Sequence, residues 1–210
     1  VLPEAIKVLN AVGFDANYVD GDIGWDFWCS EGNALPQRTI DLLEKHKIGL
    51  FGAITSKPKD AADKELDPSL KGKGFVYFSP IVGLRQKFNL DICIRPCQSF
   101  KGNPLNFIIR NAKGGFDEPL VNAVIFRQNT EGLYGGVEWT NPPKQVRDAL
   151  ETHPKMKFFK DVPSEDMAIS TRIVTRNASR RIIRAGFEYA KKYGYTNLTL
   201  CEKPNVLRET

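Results

Sequence analysis

The stretch Val124-Ile125-Phe126-Arg127-Gln128-Asn129-Thr130-Glu131-Gly132-Leu133-Tyr134-Gly135-Gly136-Val137-Glu138 carries the most information in the chain. It opens as an apolar run, residues 123–128, of the kind that forms a strand. The run ends on Arg127, and a polar turn leads to an isolated tyrosine among glycines. Ligand groups in α/β proteins commonly sit where strands end. A second segment has the same character: residues 90–96 read as extended and end in Arg95-Pro96. Ten residues upstream of Arg95 lies Arg85, in Ser79-Pro80-Ile81-Val82-Gly83-Leu84-Arg85-Gln86. A third segment is Glu202-Lys203-Pro204-Asn205. The planar fork of arginine pairs with carboxylate through two parallel hydrogen bonds, so several such forks can orient a polycarboxylate. Spacing alone leaves a second reading open, in which these arginines end strands and join ordinary ion pairs.

Around these segments, helix and strand patterns alternate, which argues for an α/β layer architecture. Residues 2–12 carry a helical stripe of Ala5, Val8, Leu9 and Val12, with Pro3 in the first turn and Gly13 after the end. Residues 14–19 look extended. Residues 35–47 read as a helix entered at Pro36, and 48–54 as a short strand buried on both faces. Residues 56–74, rich in Lys, Asp, Pro and Gly, read as a long connection. Residues 80–88 read as helix. Strands are expected at 106–110, 136–139, 156–159, 168–175 and 197–201. A long amphipathic helix is expected at 178–193, with Ile182, Ile183, Gly186, Phe187 and Ala190 on one side.

With 210 residues, of which 41% are hydrophobic, the chain can bury a substantial core. No run approaches the roughly 18 apolar residues of a bilayer-spanning helix, so no membrane partner is expected. The opening Val1-Leu2-Pro3-Glu4 shows neither a basic n-region nor an apolar h-region. The chain starts inside a helix pattern and stops just after a strand pattern, which suggests truncation at both ends. A net charge of +5 raises nucleic acid as a partner. The lysines and arginines are spread along the chain, however, and no basic run favours that reading. Cys29, Cys93, Cys97 and Cys201 are scattered and suit reduced thiols in a cytoplasmic compartment, or the mitochondrial matrix in a eukaryote. With only His46 and His153 as further soft ligands, no metal site is expected within these residues.

Taken together, the three arginine- and lysine-bearing segments resemble the signatures of the isocitrate and isopropylmalate dehydrogenase family. Leu84-Arg85-Gln86, then Leu90-Asp91, then Ile94-Arg95-Pro96 is similar to one block. The quoted stretch from Val124 to Glu138 is similar to a second, and Lys203-Pro204-Asn205-Val206-Leu207-Arg208 to a third. The resemblance implies the family's two-domain α/β fold, unrelated to the Rossmann fold. Residues 1–90 would form part of the large domain. Residues 91–131 and 176–210 would form a small dimer-forming domain, and 132–175 a clasp-like strand arm. It implies oxidative decarboxylation of isocitrate to 2-oxoglutarate and CO2 with NAD or NADP and Mg2+ or Mn2+, whose ligands are expected outside this segment.

By the same resemblance, Ser79, Arg85, Arg95 and Arg127 bind the substrate, and Tyr134 and Lys203 are catalytic. Thr55, Ser56 and Asn205 approach the cofactor, and Lys203 reaches across a homodimer into a shared active site. Ser79 suits isocitrate. Ile81 stands where isocitrate enzymes usually carry Asn, which leaves isopropylmalate, homoisocitrate and tartrate as alternatives. Glu202 stands where many relatives carry His. A non-catalytic regulatory subunit of such an enzyme is the remaining alternative.

Overall fold

The computed structural model describes residues 1–203 and 205–209; Pro204, the middle of the Lys203-Pro204-Asn205 motif, lies outside the described residues. The chain divides into two compact units, Val1–Phe88 and Asn89–Thr210.

The first unit is helical. Helix α1, Leu2–Ala11, begins on a proline-containing turn and leads to Gly13 at φ 74°, the left-handed conformation that favours glycine. Helix α2 is Trp25–Glu31 and α3 is Gln37–His46, entered from Pro36. Helix α4, Lys59–Glu65, lies inside the stretch expected as a bare connection. Its position has a physical cause. Trp28 of α2 is fully buried against Ala62, and its indole Nε1 donates to the Ala62 carbonyl at 2.9 Å. Ala34 and Leu66 complete this core, with the Tyr77 ring tilted against Trp25 and edge-on to Trp28 at 5.1 and 5.3 Å between centres. Helix α5, Pro80–Lys87, ends the unit as expected. Residues 48–54 do not form the expected buried strand. Ile48 is 78% exposed and the run joins no ladder among the described residues. A strand buried on both faces needs ladder partners and two covers. Here the run meets side chains and loops: Leu43 of α3 lies against Gly49, Leu2 of α1 against Gly52, and Ile54 against Gly24. Residues 14–19 are likewise irregular.

In the second unit, β1 (Ile92–Gln98) pairs antiparallel with β4 (Asn122–Gln128), in a register that sets Cys93 opposite Arg127 and Arg95 opposite Ile125. Between them, β2 (Ile109–Arg110) and β3 (Phe116–Asp117) form a short hairpin closed by the Asn111 turn, so only the end of the expected 106–110 strand is paired. Residues 132–175 hold a three-pair ladder of β5 (Glu138–Thr140) with β6 (Ala168–Ser170), and helix α6 (Lys144–Glu151) between them. Residues 156–159, expected as a strand, lie largely in a 3-10 turn, Pro154–Phe158, started by a proline that cannot donate to a ladder.

Helix α7, Arg176–Tyr193, is capped by the Thr175 hydroxyl, which accepts from the Ala178 N–H, and ends at Gly194 in the left-handed conformation. It packs on β4, where Phe126 meets the Tyr189 ring at 5.3 Å. The face it buries centres on Ala178, Ile182, Gly186 and Tyr189. Ile183 and Phe187, expected on that face, are exposed, because the buried stripe runs in four-residue steps through Ala178, Ile182, Gly186 and Ala190 and leaves them to its side. Residues 197–201 form no strand; Leu198 packs on Gly186 instead.

Candidate active site

The β1–β4 ladder decides which side chains share a face. Directly opposite residues and alternate residues along one strand point to the same side. Arg127, Cys93 and Arg95 therefore share the face turned away from Phe126 and helix α7. Arg95 is exposed and Arg127 is half-buried.

The guanidinium of Arg127 is held by neutral partners. Its Nη1 donates to the Tyr134 hydroxyl at 2.9 Å and its Nη2 to Asn129 Oδ1 at 2.8 Å. Its Cζ lies 4.8 Å from the centre of the Tyr134 ring, and its Nε is buried without a hydrogen-bond partner. Asn129 is itself buried and fixed on three sides. Its N–H donates to the Asp91 carbonyl at 2.8 Å, its Nδ2 reaches the Leu90 carbonyl at 3.3 Å, and its Oδ1 takes the guanidinium. The Asp91 carboxylate, also buried, accepts from Arg181 of α7 at 2.9 Å. Helix, strand and arginine are thereby linked through Asp91 and Asn129.

The turn from Arg127 to Tyr134 is equally ordered. Gln128 Oε1 accepts from the N–H groups of Thr130 and Glu131 at 2.9 and 2.7 Å. Glu131 then accepts from both the N–H and the hydroxyl of Thr175, each at 2.7 Å. Tyr134 sits in the 3-10 turn Leu133–Gly135 that follows.

Arg38 is ion-paired with Asp22 and Glu31, Arg147 with Glu151, and Arg181 with Asp91. Among the described residues, neither Arg95 nor Arg127 is ion-paired with a carboxylate. Among the described residues, the alternative of ordinary ion pairs is thus not what these two arginines do.

The remaining expected site residues stand as follows. Ser79 occupies the N-cap position of α5, but its hydroxyl makes no capping hydrogen bond; Ile81 and Arg85 lie on that same helix and are half-buried. Thr55 is exposed, and Ser56 Oγ lies 3.0 Å from the Tyr77 hydroxyl. Next to Ser56, Lys57 Nζ pairs with Glu65 at 2.6 Å and lies 4.9 Å from the Trp25 ring centre, while Trp25 Nε1 also donates to Glu65 at 2.7 Å. These contacts hold the Glu65 carboxyl below the usual carboxylate range, the Lys57 hydrogen bond contributing most. Lys203 and Asn205 are exposed in a terminal turn whose Lys203 carbonyl accepts from Val206 and Leu207.

Three supporting residues carried no assigned role in the sequence reading: Asp91, Asn129 and Glu131. All lie inside the quoted blocks, where their polar type beside a strand end is the signal that could have marked them. Among the described residues, no three His, Cys, Asp or Glu side chains stand together as a metal-holding group.

The profile of the isocitrate/isopropylmalate dehydrogenase family matches residues 1–210. The chain is 36% identical, over its whole length, to a homoisocitrate dehydrogenase of Methanocaldococcus jannaschii, covering 50% of that protein. It is 35% identical over 90% of its length to protein DlpA of Legionella pneumophila, covering 28% of that protein. It is 28% identical to an NADP isocitrate dehydrogenase of Archaeoglobus fulgidus, covering 46% of it. The chain thus spans half or less of these relatives. The crystal structure of the TT0538 protein from Thermus thermophilus superposes with a TM-score of 0.62 over 99% of this chain and 33% of that one, at 20% identity, which is a likeness of fold. With the family profile matching from end to end, the chain belongs to the isocitrate/isopropylmalate dehydrogenase family.

Proposed function

We propose that the full-length protein oxidises and decarboxylates a 2-hydroxy acid bearing several carboxylates, with isocitrate as the leading substrate. The observation that carries this reading is Arg127, a half-buried guanidinium oriented by Tyr134 and Asn129 with no carboxylate of the described chain on it. A preorganised cation of this kind gains most from an anionic ligand, because the cost of orienting it is already met within the fold.

In this reading Arg95 and Arg127 bind substrate carboxylates from one face of the β1–β4 ladder; Arg85 is carried as a substrate-binding residue on the family resemblance alone. Tyr134 delivers a proton to the carbon that loses CO2. The guanidinium on its oxygen stabilises the charge left behind as the proton departs. Lys203, supplied by the partner subunit of a homodimer, reaches the substrate hydroxyl region and shares the proton transfer with Tyr134. Thr55, Ser56 and Asn205 would hold the ribose and carboxamide of NAD or NADP with hydroxyl and amide groups. When bound, the nicotinamide accepts the hydride. Mg2+ or Mn2+ is expected as a requirement of the full-length protein.

A second reading has homoisocitrate as the substrate. Ile81 on α5 offers an apolar contact where an Asn would bond a carboxylate, and the 36% identical relative bears that name. The two readings separate in an assay of the full-length protein with Mg2+ or Mn2+, each cofactor, and a panel of 2-hydroxy acids, repeated with Ser79→Ala. If Ser79 contacts the third carboxylate, the variant loses more rate on isocitrate than on isopropylmalate. Equal losses would remove Ser79 from substrate discrimination. No turnover of any panel member would favour a non-catalytic subunit.

A further inference from the structure

We infer that Glu131 is a positioning residue that sets the place of Tyr134 by gripping the N-terminus of helix α7; this rests on the reading of Tyr134 as the proton donor.

Arg127 and Tyr134 are seven residues apart, and the chain between them must reverse direction to bring the hydroxyl back to the guanidinium. Glu131 stands at that reversal. Its two carboxylate oxygens take separate donors of one residue, Thr175: Oε2 takes the backbone N–H and Oε1 the hydroxyl, both at 2.7 Å. The neighbouring Gly132 N–H donates to the Ile173 carbonyl at 2.9 Å, in an isolated bridge. Three hydrogen bonds thus fasten residues 131–132 to residues 173–175. On the other side, the Glu131 carbonyl accepts from the Tyr134 N–H at 3.2 Å and so starts the turn that carries the phenol.

The anchor itself is firm. Thr175 caps an 18-residue helix, and a carboxylate at a helix N-terminus is favoured by the unpaired N–H groups there. Hydrogen bonds to a charged acceptor are also stronger than neutral ones. Arg127, by contrast, keeps a second hold through Asn129 that does not pass through Glu131. Loosening Glu131 therefore displaces the proton donor and leaves the carboxylate-binding arginine in place.

Glutamine keeps the size of Glu131 but has one acceptor oxygen, and its amide group would face a donor of Thr175. In the full-length protein, Glu131→Gln is expected to lower kcat by about tenfold to a hundredfold, the scale set by a misplaced reacting group. The directly measured Kd for substrate should stay within about twofold. In a Tyr134→Phe background, Glu131→Gln should add less than about twofold, since the group it places is already gone. Thr175→Val, which deletes one of the two donors, should slow turnover more than Thr175→Ser, which keeps both.

If the Glu131→Gln loss multiplies unchanged in the Tyr134→Phe background, or if Kd weakens as much as kcat falls, Glu131 has only a general structural role. The same holds if Thr175→Val and Thr175→Ser behave alike when Glu131→Gln fails to fold. If Tyr134→Phe alone leaves kcat intact, the proton-donor reading falls and this inference falls with it. A slow Tyr134→Phe beside a normal Glu131→Gln overturns this inference alone.

Discussion

Arg127 and Tyr134, at the two ends of a tight chain reversal, meet through a hydrogen bond of 2.9 Å from Nη1 to the phenol oxygen. The bond joins a cation at the end of β4 to a side chain in a 3-10 turn. Under the proposed function it makes substrate anchoring and proton delivery neighbouring acts, and each can be perturbed separately.

Arg127→Lys keeps the charge and loses the fork. Lysine cannot reach Tyr134 and Asn129 together while presenting a flat pair of donors. Each charge-assisted hydrogen bond lost is worth about 1.5–3 kcal/mol. Substrate affinity of the full-length protein should fall by about tenfold or more. Titration calorimetry with the best substrate measures it, and an unchanged Kd would make Arg127 a structural residue.

Asn129→Ala removes the acceptor of Arg127 Nη2 and a donor to the Leu90 carbonyl at a buried position. Leaving buried polar groups unmet costs about 1–3 kcal/mol. Urea unfolding should show a loss of that size with little change in slope. A loss below about 0.5 kcal/mol would mean that water or relaxation replaces both bonds.

Glu65 gives a pH signature. Its folded-state pKa is depressed by the Lys57 hydrogen bond first and the Trp25 hydrogen bond second. Stability from a depressed carboxyl is complete above its unfolded pKa and disappears as pH falls through the folded value. Acidification from about pH 5 to pH 3 should therefore cost the wild type more stability than it costs Glu65→Gln. Parallel pH profiles by thermal melting would remove Glu65 from this role.

Cys29 should be the slow thiol. Burial, followed by the charge of Glu65, pushes its pKa up, and Lys57 offsets this in part. The thiolate is the reactive form. Cys97 and Cys201 are exposed. Near pH 8, iodoacetamide labelling followed by mass spectrometry should modify both before Cys29. First labelling at Cys29 would contradict its packed position beside Trp28.

The segments that carry Arg127 and Tyr134 were easier to single out in the sequence than the elements around them. Arg127 and Tyr134 were legible because a charged residue closing an apolar run and a tyrosine among glycines are local patterns. Helices α1, α3, α5 and α7 were legible from periodicity and from their Pro and Gly boundaries. Helix α4 was hidden, because Lys-Asp-Ala-Ala-Asp-Lys-Glu reads as polar and only Trp28, more than thirty residues away, reveals which face is buried. Residues 48–54 erred the other way: their apolar run indicates burial, but a strand exists only where a partner strand lies beside it. The roles of Asn129 and Glu131 depend on Asp91 and Thr175, contacts that no spacing along the chain displays.

The most direct test of the Arg127–Tyr134 site is Tyr134→Phe in the full-length protein. The substitution removes one hydroxyl and keeps the ring beside the guanidinium. With the best 2-hydroxy acid, kcat should fall by about 10²–10⁴, the range of a general acid, while the directly measured substrate Kd changes little. A near-normal kcat, or a loss confined to binding or to thermal stability, would contradict proton delivery by Tyr134.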